Sequence, residues 1–332
     1  MGTDYTYPCA EHPAEIAHHR EQHAEHTYDA LNRKIAETVN YPGFNKTFRY
    51  TYYANGQKQT FTMPGGVTYE YTYNANNELK NIRIPGVGEI AYPSYTVNRP
   101  DSVTFPGGSQ SYQYDALLRL QQSTASGLNY GYTYDNLSNI LTKTTKYGNY
   151  TYGYDDVSRL LSADNPDTQP DEAYTYDGVG NRLTTSDVSG TITHNENNEL
   201  TVYGDVFYGY DANGNLIRKQ IGTAAVNYTY DASNRLIRLT DELAQTVIAE
   251  YYYDPFGRRL WKDVSGVRTY FLYTDEGLVA EYDASRNELR SYGYQPDSTW
   301  MTDPLWLKQG GAYYWYQNDQ LGTPQKLRVT FS

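Results

Sequence analysis

Five of the six histidines of this chain, His12, His18, His19, His23 and His26, cluster beside its one cysteine, Cys9. The stretch from Pro13 to Glu25 is rich in Ala, Glu, His and Gln and opens on proline, which predicts a short helix. On that helix His19, His23 and His26 would share one face at i, i+4 and i+7, a spacing able to hold Zn or Ni. No fourth ligand is evident and the HExxH arrangement is absent, so a solvated polar helix is the plainer expectation and no metal site is assigned.

The aspartates that follow tyrosine are the second group with chemical potential, because paired acids are what glycosidases need. Asp115, Asp135, Asp155, Asp177, Asp211, Asp231 and Asp254 all hold the same place in copies of one motif. Turn capping explains them with a single cause, so no catalytic residue is assigned. Asp155 and Asp156 do not pair, since adjacent strand residues diverge. His194 is the only histidine outside the N-terminal cluster, which removes a Ser-His-Asp arrangement. Gly178-Val179-Gly180 and Gly310-Gly311 fall in turns and not between strand and helix, so they are not phosphate loops. The chain reads as a non-enzyme that needs no cofactor.

What must position these residues is a repeat. Tyrosine supplies 39 of 332 residues, mostly as Tyr-x-Tyr-Asp, a turn, then Arg or Asn with Leu or Ile. The copies are clearest at Tyr132-Thr133-Tyr134-Asp135, Tyr152-Gly153-Tyr154-Asp155, Tyr174-Thr175-Tyr176-Asp177, Tyr208-Gly209-Tyr210-Asp211 and Tyr228-Thr229-Tyr230-Asp231. Further copies include Tyr28-Asp29, Tyr71-Thr72-Tyr73-Asn74, Tyr112-Gln113-Tyr114-Asp115 and Tyr251-Tyr252-Tyr253-Asp254, with a worn one at His194-Asn195. Such periodicity means many copies of a small unit.

In a strand, residues i and i+2 face the same way, so Tyr-x-Tyr sets two rings on one face. The following Asp suits the first position of a turn. Three residues later stand Asn32, Asn77, Gly180, Asn198, Gly214, Asn234, Gly257 and Gly277, types that tolerate left-handed backbone; Leu118, Ser138 and Ser158 are exceptions. Leu120, Ile140, Leu160, Leu200, Leu216 and Leu236 then begin a return strand. A lone hairpin is marginal in water, so the roughly 14 units must join side by side in a continuous antiparallel sheet. Three segments are expected: 1–27, His-rich and helical; 28–299, the repeats; and 300–332, where Trp300, Trp306 and Trp315 break the pattern and are expected to plug or cap an edge.

Composition narrows the partners. A net charge of -12 argues against a general grip on nucleic acid. One cysteine excludes an internal disulfide framework. No run approaches about 18 apolar residues, so no membrane-spanning helix is expected. The N-terminus lacks the basic start and apolar stretch of a secretory signal.

At Tyr-x-Tyr-Asp-x-x-Gly/Asn-Arg/Asn-Leu the chain resembles the Rhs and YD-repeat family, which includes bacterial polymorphic toxins, C components of insecticidal toxin complexes and teneurins. The resemblance runs from about Tyr28 to about Leu327. The segment around Asp319, Leu321, Gly322, Thr323 and Pro324 resembles the core motif of Rhs proteins, with Gln317 and Gln320 where the family usually carries histidine. The resemblance implies an all-β fold of consecutive hairpins that spiral into a shell, open or partly closed at this length. It implies a non-catalytic wall that encloses or docks a polypeptide cargo or another shell segment. Type VI or related export to the outside or the cell surface, in competition between bacteria, is implied as well. The family continues with more repeats, an autocleavage region and a variable toxin, so a truncated repeat region is expected, with homo-oligomers through open sheet edges. The alternative is a carbohydrate-binding surface module, since tyrosine faces can stack on sugar rings. The residues taken as structural are Tyr134, Asp135, Tyr154, Asp155, Tyr176, Asp177, Gly180, Tyr210, Asp211, Gly214, Tyr230, Asp231, Asn234, Tyr253, Asp254 and Gly257.

Overall fold

A computed structural model describes residues 24–329. Among these residues there are 32 strands and no helix. His12, His18, His19, His23 and Cys9 lie outside the described residues, as does most of the expected helix. Its last two positions, Ala24 and Glu25, belong instead to the strand Ala24–Tyr28, which also carries His26. The period-2 pattern wins there because each residue of that strand has a ladder partner, Ala24 with Val39 through Tyr28 with Lys34.

Strands pair antiparallel almost strictly in chain order, in sheets of 16 and 14 strands. The small ladder of Tyr95–Thr96 with Arg99–Pro100 stands outside them. All-β architecture from consecutive hairpins follows directly from the repeat. In the strand Leu128–Tyr134, Leu128, Tyr130 and Tyr132 are buried while Asn129 and Thr133 are exposed. The tyrosines therefore share one face.

The chain forms two compact units, one from residues up to 112 together with those from 270, the other from residues 113–269. The first has a deep core made by two separated stretches of chain. Tyr69 meets the Trp306 ring at 5.1 Å, Phe105 meets Trp315 at 5.8 Å and Tyr41 meets Tyr270 edge-on at 5.5 Å. The Tyr41 hydroxyl also donates to the Phe271 carbonyl at 2.7 Å. Trp306 and Trp315 lie opposite each other in the ladder between Trp306–Gln309 and Ala312–Asn318. Both are almost fully buried, so these two tryptophans are core strand residues and not the expected edge cap. A Cβ on Gly293 would fall 1.9 Å from the Trp306 ring, which makes glycine the residue that fits there. Trp300 remains partly exposed and stacks on Tyr273 at 5.6 Å.

That core also encloses charge. Lys58 pairs with Glu276 and lies 3.1 Å from Asp297. Lys34 reaches Glu37 at 2.9 Å and Asp275 at 2.7 Å. Burial alone would depress the Lys58 ammonium, but Glu276 and Asp297 outweigh it and hold its pKa above the ordinary value.

In residues 113–269 the enclosed apolar side chains are fewer. Leu128, Tyr130 and Tyr132 form a small cluster with Leu120, Tyr134 and Ile140 packed on it. Ala163, Ala225, Ala249 and Leu260 are buried elsewhere, while Tyr150, Tyr152, Tyr174, Tyr208 and Tyr228 stay half-buried.

Candidate functional site: the aspartate turn and the cross-repeat clamp

Each motif aspartate organises its turn with one carboxylate. Asp135 accepts the backbone N–H of Leu137 and of Asn139 on Oδ1, both at 2.8 Å, and the Asn139 side-chain amide on Oδ2 at 2.8 Å. Its own backbone N–H donates to the Asn139 carbonyl, while Ser138 donates back to the Asp135 carbonyl. At Asp155 and Asp231 the fourth residue on is Arg159 or Arg235, whose Nε donates to Oδ2 at 2.6 and 2.7 Å. Asp177 and Asp211 use Asn181 and Asn215, both at 2.9 Å, and Asp254 uses Arg258 at 2.5 Å. Asn74 shows the polarity inverted, donating its amide to Glu78 at 2.6 Å.

The third residue after the Asp is left-handed whatever its type. Gly180, Gly214, Gly257, Asn198 and Asn234 have positive φ, and so do Leu118 (60°), Ser138 (70°) and Ser158 (64°). These last three are exceptions in residue type but not in conformation. A non-glycine here costs on the order of 1 kcal/mol, offset by the carboxylate bonds that fix the turn. Gly277 differs, opening the strand Gly277–Asp283.

Hydrogen bonding favours the ionised form of a turn carboxylate, and it lowers the pKa at Asp29, Asp135, Asp155, Asp211 and Asp283. For Asp29 and Asp135 the largest cause is the side-chain bond from Arg33 or Asn139; for Asp155 it is the backbone bond from Arg159. Asp211 and Asp283 are lowered first by Asn215 and Asn287.

The second tyrosine joins one repeat to the one before it. A bulge precedes it in the ladder, as between Thr133 and Tyr134 or Gly153 and Tyr154. Its hydroxyl donates to the carbonyl of the residue that opens the previous return strand. Tyr134 reaches Leu120 at 2.6 Å, Tyr154 reaches Ile140 at 3.0 Å and Tyr176 reaches Leu160 at 2.8 Å. Tyr210, Tyr230 and Tyr253 do the same to Leu200, Leu216 and Leu236 at 2.8, 3.0 and 2.9 Å.

The residue four after the Asp reaches forward to the next repeat. Arg119 donates to the Asp135 carbonyl at 2.8 Å with its guanidinium 4.6 Å from the Tyr134 ring centre. Arg159 and Arg235 repeat this on Asp177 with Tyr176 and on Asp254 with Tyr253. Asparagines reach neighbouring turns instead, Asn139 to Ser158 at 3.0 Å and Asn215 to Asn234 at 2.8 Å. The acceptors in this clamp are backbone carbonyls, so the motif by itself does not reveal them.

Asp319 is one further copy of the same turn. It accepts the N–H groups of Leu321 and Thr323 at 3.0 Å each, and the Gln325 amide at 2.9 Å. Gly322 is left-handed at φ 74°, and a Cβ there would meet the Asp303 carboxylate at 2.7 Å. Pro324 opens the strand Pro324–Val329 and Leu321 is exposed at the turn tip.

Among the described residues, each of the motif carboxylates named above is spent on its own turn. What fold and site together define is a class of β-hairpin repeat protein, hairpins clamped to hairpins by tyrosine and arginine. The chain belongs to the teneurin YD-shell family, whose model matches residues 133–327. It is 36% identical over 129 residues to the tRNA nuclease WapA of Bacillus subtilis, covering 36% of this chain and 5% of that protein. It is 28% identical over 192 residues to the double-stranded DNA deaminase toxin A of Burkholderia cenocepacia, covering 50% of this chain and 13% of that one. The chain thus spans a small part of the curated relatives it matches. The fold is similar to that in the Photorhabdus luminescens Tc holotoxin pore, with a TM-score of 0.72 at 14% identity over 93% of this chain and 19% of that one. It is also similar to the crystal structure of TcdB2–TccC3 without its hypervariable C-terminal region, with a TM-score of 0.57 at 13% identity over 93% of this chain and 19% of that one.

Proposed function

We propose that this chain is a non-catalytic wall segment that shields a polypeptide cargo within a toxin-delivery protein. The observation that carries the proposal is the clamp: the motif tyrosine hydroxyls and arginines bond repeat to repeat, so the recurring chemistry of the motif is consumed in building a wall. The family membership and the toxin relatives support it. Those relatives are named for nuclease and deaminase activities, and the motif carboxylates of this chain are bound up in their own turns. A cargo-bearing system of this kind accounts for a role in competition between bacteria, with type VI or related export as the route.

The carbohydrate alternative loses support from the same geometry. A sugar-binding tyrosine needs an open ring face, and Tyr134, Tyr176 and Tyr253 each have one face taken by an arginine. The test uses lactalbumin unfolded by reduction and alkylation, mixed with the full chain. Longer survival against trypsin than the free polypeptide shows, with no cleavage of tRNA and no deamination of double-stranded DNA by the chain, is the expected outcome. Digestion at the free rate, or turnover of either nucleic acid, would refute the proposal.

A further inference from the structure

The two faces of residues 113–269 treat their cations differently. On the face away from the motif tyrosines, arginines sit on carboxylates: Arg218 on Glu242 at 2.6 Å, Arg238 on Glu250 at 2.8 Å and Arg268 on Asp263 at 3.3 Å. On the tyrosine face Lys143 and Arg259 sit on rings. Lys143 lies 5.3 Å from the Tyr130 ring centre and 5.7 Å from that of Tyr150. Arg259 covers Tyr251 at 4.5 Å, and its buried Nε has no hydrogen-bond partner. Register puts Lys143 opposite Tyr132 and Lys219 opposite Tyr208, both on this face.

The acids of the tyrosine face are engaged with other groups. Glu172 accepts the Tyr174 hydroxyl, Asp187 accepts the Tyr203 hydroxyl at 3.0 Å and Asp241 caps its own turn through the Ala244 N–H at 2.7 Å. In a chain of net charge -12, this leaves Lys143, Lys219 and Arg259 on an aromatic face with no ion pair to the protein's own carboxylates among the described residues.

We propose that the tyrosine face of residues 113–269 docks an acidic, extended polypeptide, whose carboxylates meet Lys143, Lys219 and Arg259 while its apolar side chains lie across the tyrosine rings. This rests on the wall proposal and adds the chemistry of the occupant. Charge complementarity chooses the sign. Spacing chooses the class: the strand of Lys219, Leu216–Ile221, and that of Arg259, Arg259–Val264, are four ladder steps apart, about 19 Å at ~4.8 Å per step. Duplex nucleic acid carries a charge about every 1.7 Å and calls for far denser cations. A polypeptide with scattered acids matches.

The experiment compares two forms of one unfolded polypeptide, reduced lactalbumin with its cysteines carboxymethylated or aminoethylated, binding to the full chain. The carboxymethylated form is expected to bind at least about tenfold tighter and to weaken with salt. The K143Q/K219Q double variant should lose most of that preference while R238Q, on the opposite face, keeps it; circular dichroism and melting checks that both fold. Equal binding of the two forms would overturn the charge inference and leave the wall proposal standing. Binding of neither would overturn both, and tighter binding of single-stranded oligothymidylate than of the acidic polypeptide would make the face a nucleic-acid surface instead. Equal loss in R238Q would also overturn the inference.

Discussion

In the unit made from residues up to 112 and from 270 on, Phe48, Ile82, Ile90, Leu272, Trp306 and Trp315 are almost wholly removed from water. In residues 113–269 the enclosed apolar side chains are chiefly Leu128, Tyr130, Tyr132, Leu260 and alanines. The hairpin motif is the same in both. The first unit adds a core in which separated stretches of chain bury rings against each other, so its stability depends on long-range packing. The second leans on bonds between neighbouring repeats, the regime in which stability is close to a sum of nearest-neighbour terms. One motif therefore supports two kinds of cohesion, according to what its tyrosine face meets.

The contrast is broken most severely at Trp306. Trp306→Ala should cost about 3–5 kcal/mol in denaturant unfolding, whereas Tyr150→Ala in the second unit should cost about 1–2 kcal/mol because its ring is only half-buried. Equal costs would erase the distinction between the units. Next comes the buried charge: Lys58→Met leaves Glu276 enclosed without its cation and should cost about 3 kcal/mol. Adding Glu276→Leu to it should restore much of the loss, and a double variant less stable than the single one would contradict the assignment.

Removing one clamp is milder. Tyr154→Phe deletes the bond to the Ile140 carbonyl and should lower stability by about 1 kcal/mol, as measured by chemical denaturation. Acid probes the turns together. The carboxylates of Asp29, Asp135, Asp155, Asp211 and Asp283 titrate below the ordinary value of about 3.9 in the folded chain, so their contribution is fully present above that value and is lost as pH falls through the lower folded values. Melting temperature should therefore drop below about pH 4. Asp155→Asn, which keeps an oxygen for the backbone N–H groups of Val157 and Arg159 but removes the titrating group, should flatten that drop slightly. The smallest effect is expected at the turn tips. Leu137 is 69% exposed, and Leu137→Asn should change stability by less than about 0.5 kcal/mol, since Asn76, Asn197 and Asn213 hold the same place in other copies.

The hairpin was legible because Tyr-x-Tyr states a strand face and Asp states a turn, both local rules. Strand order followed, since consecutive hairpins have consecutive neighbours. The left-handed backbone at Leu118, Ser138 and Ser158 was less legible, because the Asp bonds and not the residue type impose it. The partner of each tyrosine hydroxyl was hidden, because a carbonyl acceptor leaves no trace in side-chain identity. The places of Trp306 and Trp315 were hidden for another reason: their ring partners Tyr69 and Phe105 lie far away in sequence, and no periodicity links them.

The central claim is that clamps between neighbouring repeats hold residues 113–269 together. Hydrogen exchange measured by mass spectrometry on the native chain and on Tyr154→Phe tests it most directly. Faster exchange is predicted in the strands Ile140–Thr145 and Gly148–Tyr154, fading over adjacent repeats, with the strand Gly277–Asp283 unchanged. Uniform acceleration along the whole chain, or none next to the removed hydroxyl, would contradict it.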